Sequence, residues 1–86
     1  MSAQTFRYEE LAPKVVAALR GEFPNDTIDV TEGYQGRVHV LVVSSKFNDL
    51  PEHARQDLLW GILKAELAEE AQGVSFAIAY GTDELR

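Results

Sequence analysis

The chain has 86 residues, 45% hydrophobic and 26% charged, the balance of an ordinary globular protein and not of a disordered segment or a fibrous repeat. Eight Lys and Arg against fourteen Asp and Glu give a formal charge of -6, which opposes unspecific coating of a phosphate backbone, because that affinity comes largely from counterions displaced by basic side chains. The absence of Cys excludes disulfides, thiolate metal sites and a cysteine nucleophile within this chain.

The opening residues, MSAQTFRYEELAPK, reach mixed charge within the first ten positions and lack the apolar centre of a secretory signal. No run approaches the roughly 20 apolar residues that span a bilayer, so a cytoplasmic protein without a membrane segment is expected. No linker or repeat divides the sequence, and residues 1–86 read as one domain.

A first helix is predicted from about Tyr8 to Glu22, with Leu11, Val15, Val16, Ala18 and Leu19 forming one apolar stripe. Pro13 lacks a backbone donor, so this helix either begins near Ala12 with Pro in its first turn or bends there. Gly21 and Pro24 end it. Thr27 to Glu32 alternates, Ile28 and Val30 against Thr27, Asp29 and Thr31, as a strand with one buried face does. Gly33-Tyr34-Gln35-Gly36 follows as a hairpin connection, its two glycines able to take positive φ.

Arg37 to Ser44 is the returning strand. Its middle is apolar on both faces, which places it centrally in a sheet. Asp49 with Glu52 three residues later has capping-box spacing, and a helix is predicted from there to about Ala71, with a break near His53 to Arg55 also compatible with the pattern. It turns Leu58, Leu59, Ile62, Leu63 and Leu67 inwards, and Arg55, Lys64, Glu66, Glu69 and Glu70 mainly outwards. After Gln72-Gly73 the last strand alternates Val74, Phe76, Ile78 and Tyr80 against Ser75, Ala77 and Ala79.

The expected fold is α+β in the order αββ(α)αβ: a three-stranded mixed sheet, the last strand parallel to the second, with the helices packed on one face. The other face is expected to stay open, carrying Thr27, Asp29, Thr31, Arg37, His39, Leu41, Val43, Ser75, Ala77 and Ala79 as a smooth, partly apolar docking surface.

Residues Val16 to Glu84 resemble the BolA-like family. The resemblance rests on a helix ending at Phe23-Pro24, a valine strand ending at Val43-Ser44, Phe47 three residues on, Arg55 eight residues later, the Leu58-Leu59-Trp60 step, and Ala79-Tyr80 with Thr82-Asp83-Glu84 at the close. It implies an αββααβ fold similar to the type II KH topology and a non-enzymatic role. Members of such families partner monothiol glutaredoxins in iron-sulfur trafficking, and some are described as stress-response or morphogenesis regulators that bind DNA. The family's metal-capable positions are replaced here: Gly73-Val74-Ser75 stands where a His precedes the final strand, Arg37 replaces a strand His, Gln56 a His after the helix Arg, and Asp57 a second Arg. The hairpin loop likewise offers neither His nor Cys.

Four residues are candidates for binding a partner: Tyr34 at the hairpin tip, Lys46 and Phe47 in the strand-to-helix connection, and Arg55. Arg55 reads equally as a helix-face cation pairing with Asp49, Glu52 or Asp57 and as an anchor for a carboxylate, phosphate or protein. Phe47 also reads as the seal of its connection and Trp60 as core or core edge. A KH-like nucleic-acid module working through Arg37, Lys46 and Arg55 is the alternative, disfavoured by charge. Its GxxG match at Gly33 to Gly36 joins two strands and carries no basic residue, whereas KH domains place that loop between helices. His39 and His53 lack second ligands at metal spacing, and Glu66, Glu69 and Glu70 read as a solvated face, so neither a metal, a cofactor nor catalysis is assigned.

Overall fold

The computed structural model describes residues 6–84. The first helix, α1 (Tyr8–Arg20), buries Leu11, Ala12, Val15 and Leu19. It starts ahead of Pro13, which sits inside the helix at an exposed position and withholds the backbone donor that the exposed Glu9 would otherwise meet. Arg20 closes the end of α1: its guanidinium donates to the carbonyl oxygens of Phe23 at 3.1 Å and Asp26 at 2.6 Å, holding the Phe-Pro corner.

Three strands follow the expected order in space. β1 (Thr27–Glu32) is antiparallel to β2 (Val38–Val43), and β3 (Val74–Tyr80) lies parallel on the other side of β2, which is therefore central. Val38, Val40 and Val42 are fully buried and pack with the buried stripes of α1 and of α2 (Glu52–Leu67), so both helices cover one face of the sheet. The architecture is α+β, αββαβ, with short 3₁₀ turns in the connections.

The hairpin turn corrects one expectation. Arg37 N–H donates to the Tyr34 carbonyl at 3.1 Å, and the two central residues with positive φ are Gln35 (57°) and Gly36 (78°). Two left-handed central residues make a turn whose twist matches the strands it joins. Gly33 is extended instead; it is small because a Cβ there would stand 2.5 Å from Nε2 of His39.

The second helix corrects three more. It is unbroken at His53 to Arg55 and ends at Leu67, where Ala68 turns to φ 53° and the chain continues as a 3₁₀ turn over Ala68–Gly73. Glu69 and Glu70 thus lie beyond the helix, exposed as expected. The Asp49 capping box does not form: Asp49 is left-handed (φ 67°), Pro51 occupies the cap position, and no side chain caps the helix.

The largest correction lies in β3. Val38 pairs with Val74, but His39 pairs with Phe76, so one extra residue bulges out between them. A one-residue bulge reverses the side-chain phase beyond it. Val74 is buried, then Ala77 and Ala79 point to the helices, while Phe76, Ile78 and Tyr80 emerge on the open face. The alanines expected outside are inside because α2 packs across β3 and only small side chains leave it room.

In the β2-to-α2 connection, the Ser44 hydroxyl accepts from Lys46 N–H at 3.0 Å, and the 3₁₀ turn Ser45–Phe47 drops the Phe47 ring into the core, 5.4 Å from that of Phe23. Phe47→Ala should cost about 3–5 kcal/mol through the cavity it leaves. Urea titration would show the midpoint falling at an unchanged slope; an unchanged midpoint would contradict the buried placement.

Candidate functional site

The residues expected to bind a partner do not form one surface. Tyr34 is 77% exposed at the hairpin tip. Lys46 and Phe47 lie at the opposite end of β2, a strand of six residues and hence about 20 Å long. Phe47 has no exposed surface. The Lys46 ammonium is held by Glu22, donating to its carboxylate at 2.9 Å and its backbone carbonyl at 2.5 Å, above the Phe23 ring.

Arg55 is the clearest departure from expectation, for it points inwards and is only 9% exposed. Its Nε donates to the Leu50 carbonyl at 2.9 Å, and Nη1 donates to the Ala79 carbonyl at 3.2 Å and to Oε1 of Glu84 at 2.6 Å. None of Asp49, Glu52 or Asp57 is its partner. A guanidinium suits this place because its planar fork reaches a loop, a strand edge and the tail at once. The next residue, Gln56, does similar work: its Nε2 donates to the Ala77 carbonyl at 2.9 Å while its Oε1 accepts from the Trp60 indole at 3.0 Å. Trp60 is half-buried at the core edge, as expected.

Arg55 and Gln56 thereby occupy the outward carbonyls of β3, an edge strand. Unpaired edge groups invite pairing with other chains, and side chains from α2 cover part of this one. Glu84 secures the tail by accepting from Gly81 N–H as well. That backbone hydrogen bond, followed by the one from Arg55, holds the Glu84 carboxyl below its ordinary pKa of 4.5. Asn48 adds a bond to the Thr82 hydroxyl at 3.1 Å.

The nucleic-acid set is equally scattered. Arg37 lies at the far end of β2, near Gln35 and over the Phe6 ring, Lys46 is engaged by Glu22, and Arg55 is buried. Among the described residues, no three His, Cys, Asp or Glu converge in a way that could hold a metal ion. No helix of those residues is long and apolar enough to cross a membrane.

The exposed apolar surface gathers elsewhere, on the sheet face away from the helices. Phe76, Ile78 and Tyr80 are 44%, 36% and 40% exposed, and Leu41 and Val43 lie beside them through the β2/β3 register. His39 stacks on Phe76 with ring centroids 4.1 Å apart. A groove of about 510 Å³ runs along this face, floored by His39 and Leu41, with Phe76 and Ile78 on one wall and Asp29 and Thr31 on the other.

No family model, curated protein or solved structure matches the chain.

The sequence pattern predicts the open face, but with Ser75, Ala77 and Ala79 on it and Phe76, Ile78 and Tyr80 on the opposite side. Large apolar side chains opposite alanines read as the buried side, and only the cross-strand register, which a local pattern does not contain, reverses that reading.

Two outcomes follow from the Arg55 cluster. Arg55→Ala should lower stability by about 2–3 kcal/mol even without any partner, since two backbone carbonyls lose their donors and the stem its packing. The Glu84 contribution runs with pH as for any carboxyl whose folded pKa is depressed: present above the unfolded value near 4.5, and lost as pH falls through the lower folded value. Denaturation midpoints of wild type and Glu84→Gln should differ at pH 7, and the difference should shrink as pH falls below 4.5 and through the lower folded value.

Proposed function

We propose that this protein is a non-enzymatic adaptor that binds a protein partner through the open face of its sheet. One observation carries the reading: Leu41, Phe76, Ile78 and Tyr80 form a contiguous apolar surface opposite the helices. A solvated sheet face ordinarily alternates to polar residues, so apolar residues gathered on one mark an interaction site. The face replaces the strand-to-helix connection as the binding surface, because Phe47 and Arg55 are spent on the fold.

The resemblance to BolA-like proteins supports the adaptor role and supplies a named candidate partner, a monothiol glutaredoxin, in iron-sulfur or stress-related processes. In that pairing this chain contributes surface and no cluster ligand, since the family's histidine positions are Arg37, Gln56 and the Gly73-Val74-Ser75 segment. Nucleic acid is the weaker reading. Exposed aromatics on a sheet can stack bases, but the strand residues of this face include no Lys or Arg, and its one formal charge is Asp29.

A photo-crosslinking amino acid in place of Ile78 tests the face. In cells, and with a purified monothiol glutaredoxin, it should give a discrete protein adduct that the same probe at Gln72 does not give. Equal adducts from both positions, or an adduct to RNA or DNA with steep weakening in salt, would overturn the reading. With the glutaredoxin and an iron source, His39→Phe, which keeps an aromatic ring against Phe76, and His53→Ala should leave any cluster spectrum unchanged; a shifted spectrum would make this chain a ligand donor.

A further inference from the structure

We infer that the occupant of the open face is an amphipathic helix of the partner, lying along β2 with a Lys or Arg on the side that meets Asp29. This rests on the face being the binding surface, and goes beyond it by naming the occupant's form and charge.

The width of the groove fits a helix. β1 and β3 are each one strand away from β2, so their axes lie about 10 Å apart, and one helix of about that diameter resting over β2 covers the width of the face. An extended segment does not fit as well. The face of a sheet offers no backbone donors or acceptors, so a strand laid on it would leave its own peptide groups unpaired against apolar side chains, whereas a helix satisfies them internally. β-Strand addition belongs to sheet edges, and that of β3 is partly occupied by Arg55 and Gln56.

A second copy of this chain fits less well on charge, since it would bring its own Asp29 and a net charge of -6 to the face. From their fractional exposures, Phe76, Ile78 and Tyr80 together present roughly 250 Å². A short helix with two or three apolar anchors matches that extent.

The walls then set the orientation and charge of the helix. The β3 wall carries Phe76, Ile78 and Tyr80, and the β1 wall carries Thr27, Asp29 and Thr31. A helix resting there needs an apolar stripe towards β2 and β3, and a polar border towards β1. Asp29 is exposed, takes part in no ion pair among the described residues, and sits in a chain of net charge -6. It selects a cation at that border and disfavours an acidic one.

The probes are three synthetic peptides of about four helical turns, long enough to run the length of the face. One has a leucine stripe bordered by Lys, one the same stripe bordered by Glu, and one is the Lys peptide with a central Pro. Each is titrated into the ¹⁵N-labelled full chain. The Lys peptide should shift the amides of His39, Leu41 and Ile78, and bind more tightly than the other two. Asp29→Lys, on the exposed wall where folding is not at stake, should weaken the Lys peptide about threefold and strengthen the Glu peptide by a similar factor. Ile78→Glu should weaken all binding at least about tenfold, with its amide spectrum confirming the fold. Shifts centred on α1 and α2, equal binding of the Lys and Glu peptides, equal binding of the Pro peptide, or concentration-dependent pairing of the chain with itself would each overturn the inference. A crosslink from position 78 with no helical peptide bound would remove the helix and leave the face reading standing.

Discussion

The described residues are organised around β2. Its inward valines, Val38, Val40 and Val42, are buried against both helices, and its two edges carry the hydrogen-bonded ladders to β1 and β3. A strand paired on both sides and covered on one face has no freedom to slip by one residue, because that would exchange three buried valines for His39, Leu41 and Val43. With its register fixed, β1 can follow only through the tight turn at Gln35-Gly36, and β3 only through α2. In a chain of 86 residues, whose core is necessarily thin, one such strand is enough to organise the rest.

The attachment of β3 shows how that constraint is distributed. The bulge after Val74 aligns Ala77 and Ala79 with Val40 and Val42, and their small side chains let α2 come close. From α2, Arg55 and Gln56 reach round to the strand's outer carbonyls, and Arg55 continues to Glu84. The same helix thus packs on the face of β3, covers part of its edge and ties down the tail. Arg55 is buried because its donors meet carbonyls of two separate segments, which makes it a structural cation even though its position on a polar helix start suggests an exposed one.

What the sequence revealed and what it concealed divide along the range of the forces involved. The elements, their order, the central place of β2 and the parallel β3 follow from local alternation, helical spacing and Gly or Pro punctuation. The phase of β3 does not, since Val74, Phe76, Ile78 and Tyr80 alternate cleanly and nothing within the segment announces a bulge. The direction of Arg55 is concealed for the same reason: its partners lie at Leu50, Ala79 and Glu84, and the last two are far along the chain. Asp49 failed as a cap because its backbone is left-handed, and a residue with positive φ does not have the extended geometry that capping requires. Of the residues that spacing marks as a site, Phe47 and Arg55 therefore belong to the scaffold, while the alternation of β3 points its exposed apolar residues away from the open face.

The bulge after Val74 also sets the chemistry of the surface. Had β3 kept its phase, Phe76, Ile78 and Tyr80 would lie under α2 and the open face would end in alanines. With the phase reversed, the bulky side chains form a wall on the outside, and that wall is held in shape: Phe76 stacks on His39, whose ring fits only because Gly33 lacks a Cβ. Aromatic and branched side chains already fixed against a paired sheet lose little further freedom on association, so their apolar area is available for binding at low entropic cost. A surface both apolar and prearranged is what a docking site requires, and here it arises from the same single-residue irregularity that lets the helix close over the strand.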